Sequence, residues 1–324
     1  MRQAVAALNK PVSTKTSSKE FFKKVYKGRY IYLLILPSVL FFIIFHYVPI
    51  YGIQLAFREF SYSGSFVGGK FIGLQNFRDL ITEIEFWRAF KNTMIISFLN
   101  VILTFPLPII LAVLMNELLH KKFKTVVQTV VTLPHFISWV VVGGMAFNLL
   151  AHQGAINNLL EILGFDRFNF LMNPGIFRYL LVFSGAWKEV GWASIIYLAV
   201  IATIPPELYE AATVDGANRF HKIRYITWNG MKSMVILQLI LAIGYMAQGN
   251  FMQVLLFYNP AVYSTGDIID TYVYRLSFQR GVDFSFTTAV GLFRGVAGMI
   301  LLLCANFLAR RFGQKGVLGG EPSE

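Results

Sequence analysis

The chain has little charge and almost no sulfur chemistry. Only 14% of its 324 residues are charged, against ~25% in soluble globular domains. A single cysteine, Cys304, stands in an apolar run, which excludes an intrachain disulfide and a metal site built on thiolates. The 5 histidines, at positions 46, 120, 135, 152 and 221, show no ligand spacing. No His–Glu–His helix motif and no carboxylate cluster offers a catalytic set. Gly64-x4-Gly69-Lys70 comes near a phosphate loop, but Phe71 stands where a magnesium-holding Ser or Thr is required. There is no internal repeat, coiled-coil heptad or low-complexity segment. The expectation is a chain that is not itself an enzyme and holds no cofactor or metal.

What is abundant is apolar surface. Hydrophobic residues make up 56% of the chain, with 31 Phe, and the mean hydropathy is +0.56. Six apolar segments, near 30–57, 92–116, 125–150, 178–202, 234–258 and 287–309, each approach the ~20 residues that cross a bilayer. The fold class expected is an all-α polytopic membrane protein with six transmembrane helices. Pro37, Pro49, Pro106, Pro108 and Pro134 lie inside these segments, where neighbouring helices re-satisfy freed carbonyls. Residues 1–29 form a basic tail. The apolar run after it is too long for a signal peptide and lacks a small-x-small cleavage site. Lys and Arg number 18 in the segments 1–29, 117–124, 204–233 and 310–324, against 8 in 58–88, 151–178 and 259–284. The positive-inside rule therefore puts both termini and residues 204–233 in the cytoplasm. The +12 net charge follows from that topology and points to no nucleic acid.

The stretch around which the chain is organised is 205–233, PPELYEAATVDGANRFHKIRYITWNGMKS. Pro205 and Pro206 suit a helix start, and Glu207 and Glu210 place negative charge at its positive end. Leu208, Ala211 and Ala212 give a small apolar face. Asp215-Gly216 is a turn signal, and Ala217 to Tyr225 restarts as a second short helix. Such a polar helix–turn–helix between two spans is shaped to dock. EAATVDGA, with Gly216 six residues and Ile226 sixteen residues after Glu210, strongly resembles the EAA loop of type I ABC importer permeases. Trp228-Asn229 departs from the Leu-Pro that the family carries there, which bears on the exit of the second helix. LPHFISWVVVGG at 133–144, the stretch 258–278 and the last span resemble the oligosaccharide permeases of the carbohydrate-uptake class, the LplB-like group. The length and basic tail also resemble those of a permease subunit of bacterial alginate importers.

The resemblance implies a bacterial inner-membrane permease: a tail at 1–29, a six-helix domain at 30–312 with its coupling loop at 205–233, and a second tail at 313–324. It implies a second, different permease chain as partner. Two cytoplasmic ATPase subunits carry ATP and magnesium, and an extracytoplasmic binding protein delivers the carbohydrate. Glu210, Ala211, Ala212, Asp215, Gly216, Ala217 and Ile226 are the coupling residues that it implies. There is no room for a fused ATPase domain. The rival class, an ion-coupled secondary carrier, needs an inverted repeat and coupling-ion groups, and neither is visible.

Ionisable groups inside spans are costly, so each is a functional candidate. Lys188 and Glu189 sit mid-span, flanked by Trp187 and Trp192, and point to different sides of the helix. Arg294 lies in the sixth span, and a Glu189–Arg294 salt bridge is the structural alternative. In the fifth span, Tyr245, Gln248 and Met252 share one helical face, with Asn250 and Gln253 nearby. Together these polar and aromatic groups form the expected sugar passage, unless they serve only helix–helix hydrogen bonding. Lys188 and Arg294 facing the path suit an acidic polymer such as alginate, whereas the Trp and Gln residues suit neutral oligosaccharides equally. His135 reads as a polar packing residue, and the Gly291/Gly295 pair as a place where helices approach closely.

Overall fold

The computed structural model describes residues 26–61, 69–279 and 283–311. Most of the basic tail, Gly64 of the near phosphate loop, and 313–324 lie outside the described residues. Of the described residues, those through Gln54 form one compact unit and those from Leu55 another. Among the described residues the chain is helical, with one isolated β-bridge between Arg58 and Phe71.

Among the described residues, five helices are long and apolar enough to cross a membrane, and six when Pro174–Ile201 is joined to Pro206–Val214 across a 73° bend. In chain order the elements are α1 (Arg29–Phe57), α2 (Gln75–Thr82), α3 (Ile84–Asn116), α4 (Lys121–Thr132), α5 (Trp139–Leu150), α6 (Ala155–Ile162), α7 (Pro174–Ile201) and α8 (Pro206–Val214). They are followed by α9 (Arg219–Ala247), α10 (Phe251–Phe257), α11 (Ile269–Phe278) and α12 (Phe284–Arg311). α2 and α3 are separate helices because Glu83 is extended between them.

Proline explains much of the local geometry. Pro49 lacks an N–H, and α1 reaches it through a π turn at Ile43–Tyr47. Ahead of Pro106 and Pro108, α3 does the same at Asn100–Thr104, where the Phe105 N–H donates to the Asn100 carbonyl at 3.0 Å. Widening the turn lets the helix pass a missing donor without ending. The third apolar segment, expected as one span over 125–150, is instead broken. A 3-10 turn at Leu133–Phe136 separates α4 from α5, and the Ser138 hydroxyl caps α5 by accepting from Val141. Pro134 cannot continue the ladder, and Ser138 offers a fresh start.

The fifth segment also departs from expectation. α9 begins in the polar stretch, passes through a π turn at Ile223–Thr227 and ends at Ala247, and residues 248–250 then break the helix before α10. Tyr245, Gln248 and Met252 therefore do not share a helical face: Gln248 is extended at φ −102°, ψ 121°. The break is held by side chains. Asp270 accepts from the Gly249 N–H at 3.2 Å, and the Asn250 amide oxygen accepts from Gln253 N–H.

α7 is the central post. Its lower half packs Tyr197 and Ile201 on Ile109 and Ala112 of α3 and on Met231 and Val235 of α9. Its upper half packs Phe177 and Leu181 on Val142, Val254 and Phe257. At Gly191 a Cβ would lie 1.9 Å from the Val131 carbonyl oxygen, so α4 and α7 touch backbone to backbone there. The close approach expected at Gly291 and Gly295 is absent, since a Cβ on either meets nothing within 4 Å. On α12 a Cβ at Gly298 would lie 3.3 Å from the Gly244 carbonyl oxygen, and one at Gly244 would lie 2.4 Å from Leu302 Cδ1.

Around α11 the polar groups close on one another. Asp267, fully buried, accepts from Arg275 Nη1 at 2.9 Å, Arg275 Nη2 at 2.6 Å and Thr271 Oγ1 at 2.9 Å. Asn92 of α3 donates to the carbonyls of Ser264 and Asp267, and Arg178 of α7 ties Asn92 to the Thr265 carbonyl. Burial opposes the Arg275 charge, but the bonds from Asp267 outweigh it and hold the guanidinium above its ordinary value.

Candidate functional site

Two features stand out once the helices are in place: an exposed hook and a cavity. The hook is α8, whose nine residues are all at least partly exposed. It turns from α7 through 73°. Pro206 occupies its first turn with Glu207, as the helix-start chemistry requires. Gly216, at φ +76°, reverses the chain, and the Ala217 N–H donates back to the Ala212 carbonyl at 2.8 Å. A left-handed residue here closes the orphan carbonyls, and glycine adopts it without strain. Asn218 then caps the start of α9 by accepting from His221 N–H at 2.9 Å. Lys222 Nζ to Thr213 Oγ1 at 2.7 Å, and Tyr209 to Thr227 at 3.0 Å, cross-link the two helices.

Glu210, Ala211, Asp215 and Gly216 are exposed on this hook, while Ala212, Ala217 and Ile226 are half-buried. Trp228-Asn229 does not end the second helix: α9 runs on through them, and Asn229 donates to the Tyr225 carbonyl. Val214 and Phe220 flank the turn and are 89% and 67% exposed. Neither belongs to the EAA spacing, although each is a large apolar residue beside a turn in a polar stretch.

The cavity, of about 670 Å³, lies among α3, α7 and α9. Of the residues expected along a passage, Glu189, Trp192, Tyr245, Gln248 and Asn250 line it, together with Asn100 and Gln238. Trp187 faces a separate apolar recess beside Leu107 and Val130. Gln253 is buried, and its amide donates to the Leu181 carbonyl at 2.6 Å and to Ser184 at 2.9 Å, tying α10 to α7. Arg294 pairs with Asp270 rather than with Glu189.

Lys188 and Glu189 do not diverge as their adjacency implied. Both reach the broken turn at 133–136. Lys188, buried, donates to the Pro134 and His135 carbonyls of the break. Glu189 Oε2 lies 2.8 Å from His135 Nδ1, and its Oε1 is 3.9 Å from Lys188 Nζ. The His135 ring stacks on Trp192 with centroids 4.5 Å apart and planes 3° from parallel. One face of the cavity is thus an indole braced by an imidazole, beside a carboxylate braced by an ammonium. Among the described residues no cluster of His, Cys, Asp and Glu is arranged to hold a metal.

Comparison with known proteins agrees with this architecture. The family described as binding-protein-dependent transport system inner membrane component matches residues 104–315. The polygalacturonan/rhamnogalacturonan transport system permease protein YteP of Bacillus subtilis (strain 168) is 40% identical over 312 residues, 96% of this chain and 97% of the relative. Protein LplB of the same organism is 37% identical over 308 residues, 95% and 96% of the two chains. A chain from the crystal structure of a bacterial alginate ABC transporter in complex with alginate pentasaccharide-bound periplasmic protein superimposes with a TM-score of 0.82. It is 38% identical, over 91% of this chain and 99% of that one.

Proposed function

The chain belongs to the family of binding-protein-dependent transport system inner membrane components, and from that premise we propose that it carries uronate-containing oligosaccharides, alginate fragments among them, through an importer driven by separate ATPase subunits. The substrate class follows the names of its relatives, a polygalacturonan and rhamnogalacturonan permease and an alginate transporter. Nucleotide drive, rather than ion coupling, follows the same kinship.

The observation that carries the mechanism is the exposed hook. A nine-residue helix with no buried residue, joined to α7 through a 73° bend and cross-linked to α9 by the Lys222–Thr213 and Tyr209–Thr227 bonds, leaves Glu207, Leu208, Glu210 and Ala211 exposed for a partner. Glu210 offers a charge-assisted contact to a basic residue of a docked ATPase, and Ala211 and Ala212 let that surface come close. Movement of the hook is passed to α7, whose Glu189 and Trp192 face the cavity. The reading takes both termini and the hook as cytoplasmic. It takes a second permease as the other half of the path and a binding protein as the donor of sugar.

The test is reconstitution in proteoliposomes with the second permease, the ATPase subunits and the binding protein. ATP-dependent uptake is expected, with no dependence on an ion gradient. Ala212→Glu is expected to insert and yet abolish both uptake and substrate-stimulated ATP hydrolysis. Normal uptake by that variant rules out the hook as the coupling element.

A further inference from the structure

Among the described residues, the cavity wall has one charged side chain, Glu189. Its other polar groups are amides and hydroxyls, such as those of Asn100, Gln238, Gln248 and Asn250. Both cations expected to face an acidic substrate are engaged elsewhere: Lys188 on the carbonyls of the 133–136 turn, Arg294 on Asp270. Glu189 remains, with its side chain 45% exposed at the wall. His135 and Lys188 hold it from the protein side, so its free acceptor capacity is turned to the cavity. Lys188 offsets part of the carboxylate's field, but it sits behind the carboxylate, and a group in the cavity meets the anion first.

We propose that Glu189 is a specificity-determining residue of the path: it accepts sugar hydroxyls and turns uronate carboxylates away from this wall. The inference rests on the importer reading above. Next to the Trp192 indole, a pyranose with its hydroxyl edge toward Glu189 gains charge-assisted hydrogen bonds. The same ring with its carboxylate edge there meets a like charge in a site poorer in water than the bulk. A uronate chain therefore passes with its acid groups toward the wall supplied by the other permease. This chain reads the hydroxyl edge and holds the acid edge weakly, which suits a path that must release what it admits.

The experiment uses the complete transporter in proteoliposomes. It compares a short uronate oligosaccharide with its carboxyl-reduced, neutral counterpart and reads the ratio of their kcat/KM values. Glu189→Gln keeps the shape and a bond to His135 while removing the charge. Its ratio is expected to shift toward the uronate by about fivefold, a screened charge–charge effect. Asn100→Asp, which adds a carboxylate to the same wall, is expected to shift it the opposite way. Poor folding or assembly lowers both sugars together and leaves the ratio intact, and delivery by the binding protein cancels between variants. A ratio unchanged in both variants, or moved in the opposite sense, overturns the proposal. If the unaltered transporter takes up neither sugar with ATP, the importer reading falls and this inference falls with it.

Discussion

Replacing Asp267 by alanine isolates the group that organises the 258–278 segment. Asp267 is fully buried, and Arg275, its main partner, is 3% exposed. The substitution removes two guanidinium bonds and one from Thr271, and it leaves a buried cation short of its counter-charge. Breaking a buried pair in this way costs about 3–5 kcal/mol, most of it from the stranded charge. Here the lower end is expected, because Glu85 Oε2 remains 3.5 Å from Arg275 Nη2. About 3 kcal/mol makes local opening of the segment roughly a hundredfold more frequent. The backbone carbonyl of Asp267, which accepts from Asn92 at 3.1 Å, survives the substitution, so the opening should begin at α11 rather than at α3. Hydrogen exchange of the purified transporter in nanodiscs measures this directly, with amides of 263–278 exposed and those of α7 unchanged. The double variant Asp267→Leu with Arg275→Met provides the control, since replacing both partners by apolar groups is often neutral. Exchange in the single variant within about twofold of the unaltered protein would falsify the claim that this pair holds the segment. So would a double variant that opens more than the single one.

Two further outcomes follow from geometry. Gly191→Ala places a Cβ 1.9 Å from the Val131 carbonyl oxygen, and neither backbone has a rotamer with which to yield. A loss of roughly 3 kcal/mol is expected from such overpacking, read as thermal unfolding of the purified chain, and unchanged stability would mean that α4 and α7 are not in contact. The Tyr258 phenol is pushed up from 10.0 to about 12, by burial first and then by its bond with Tyr263. Its folded value exceeds its unfolded one, so its contribution to stability is whole below pH ~10 and is lost as pH rises toward ~12. Tyrosinate absorbance, taken as the difference between the native protein and Tyr258→Phe, should therefore titrate late, and a difference titrating at the ordinary tyrosine value refutes the burial argument.

The sequence reveals which residues are costly in a membrane, but not which cost is met by which partner. Hydropathy gives six apolar segments, and the count agrees with the helices once the bent pair is taken as one span. The hook was legible because everything that makes it is local: prolines at its start, a Gly where its turn takes a positive φ, and an Asn cap on the helix that follows. The breaks at 133–138 and 248–250 were not legible as breaks. Each is maintained from a distance, the first by Lys188 on α7 and the second by Asp270 ahead of α12, and a broken helix costs too much in the membrane unless such partners exist. Lys188, Gln253 and Arg294 stand out in the sequence as polar groups in apolar surroundings, and all are used to satisfy a backbone or to tie one helix to another. Glu189 is different because its neighbours leave part of it unused. Among the ionisable groups first considered for the path, those whose hydrogen-bonding capacity is taken up inside the protein, Lys188 and Arg294, hold a break or tie helices together, whereas Glu189, with capacity left over, faces the cavity.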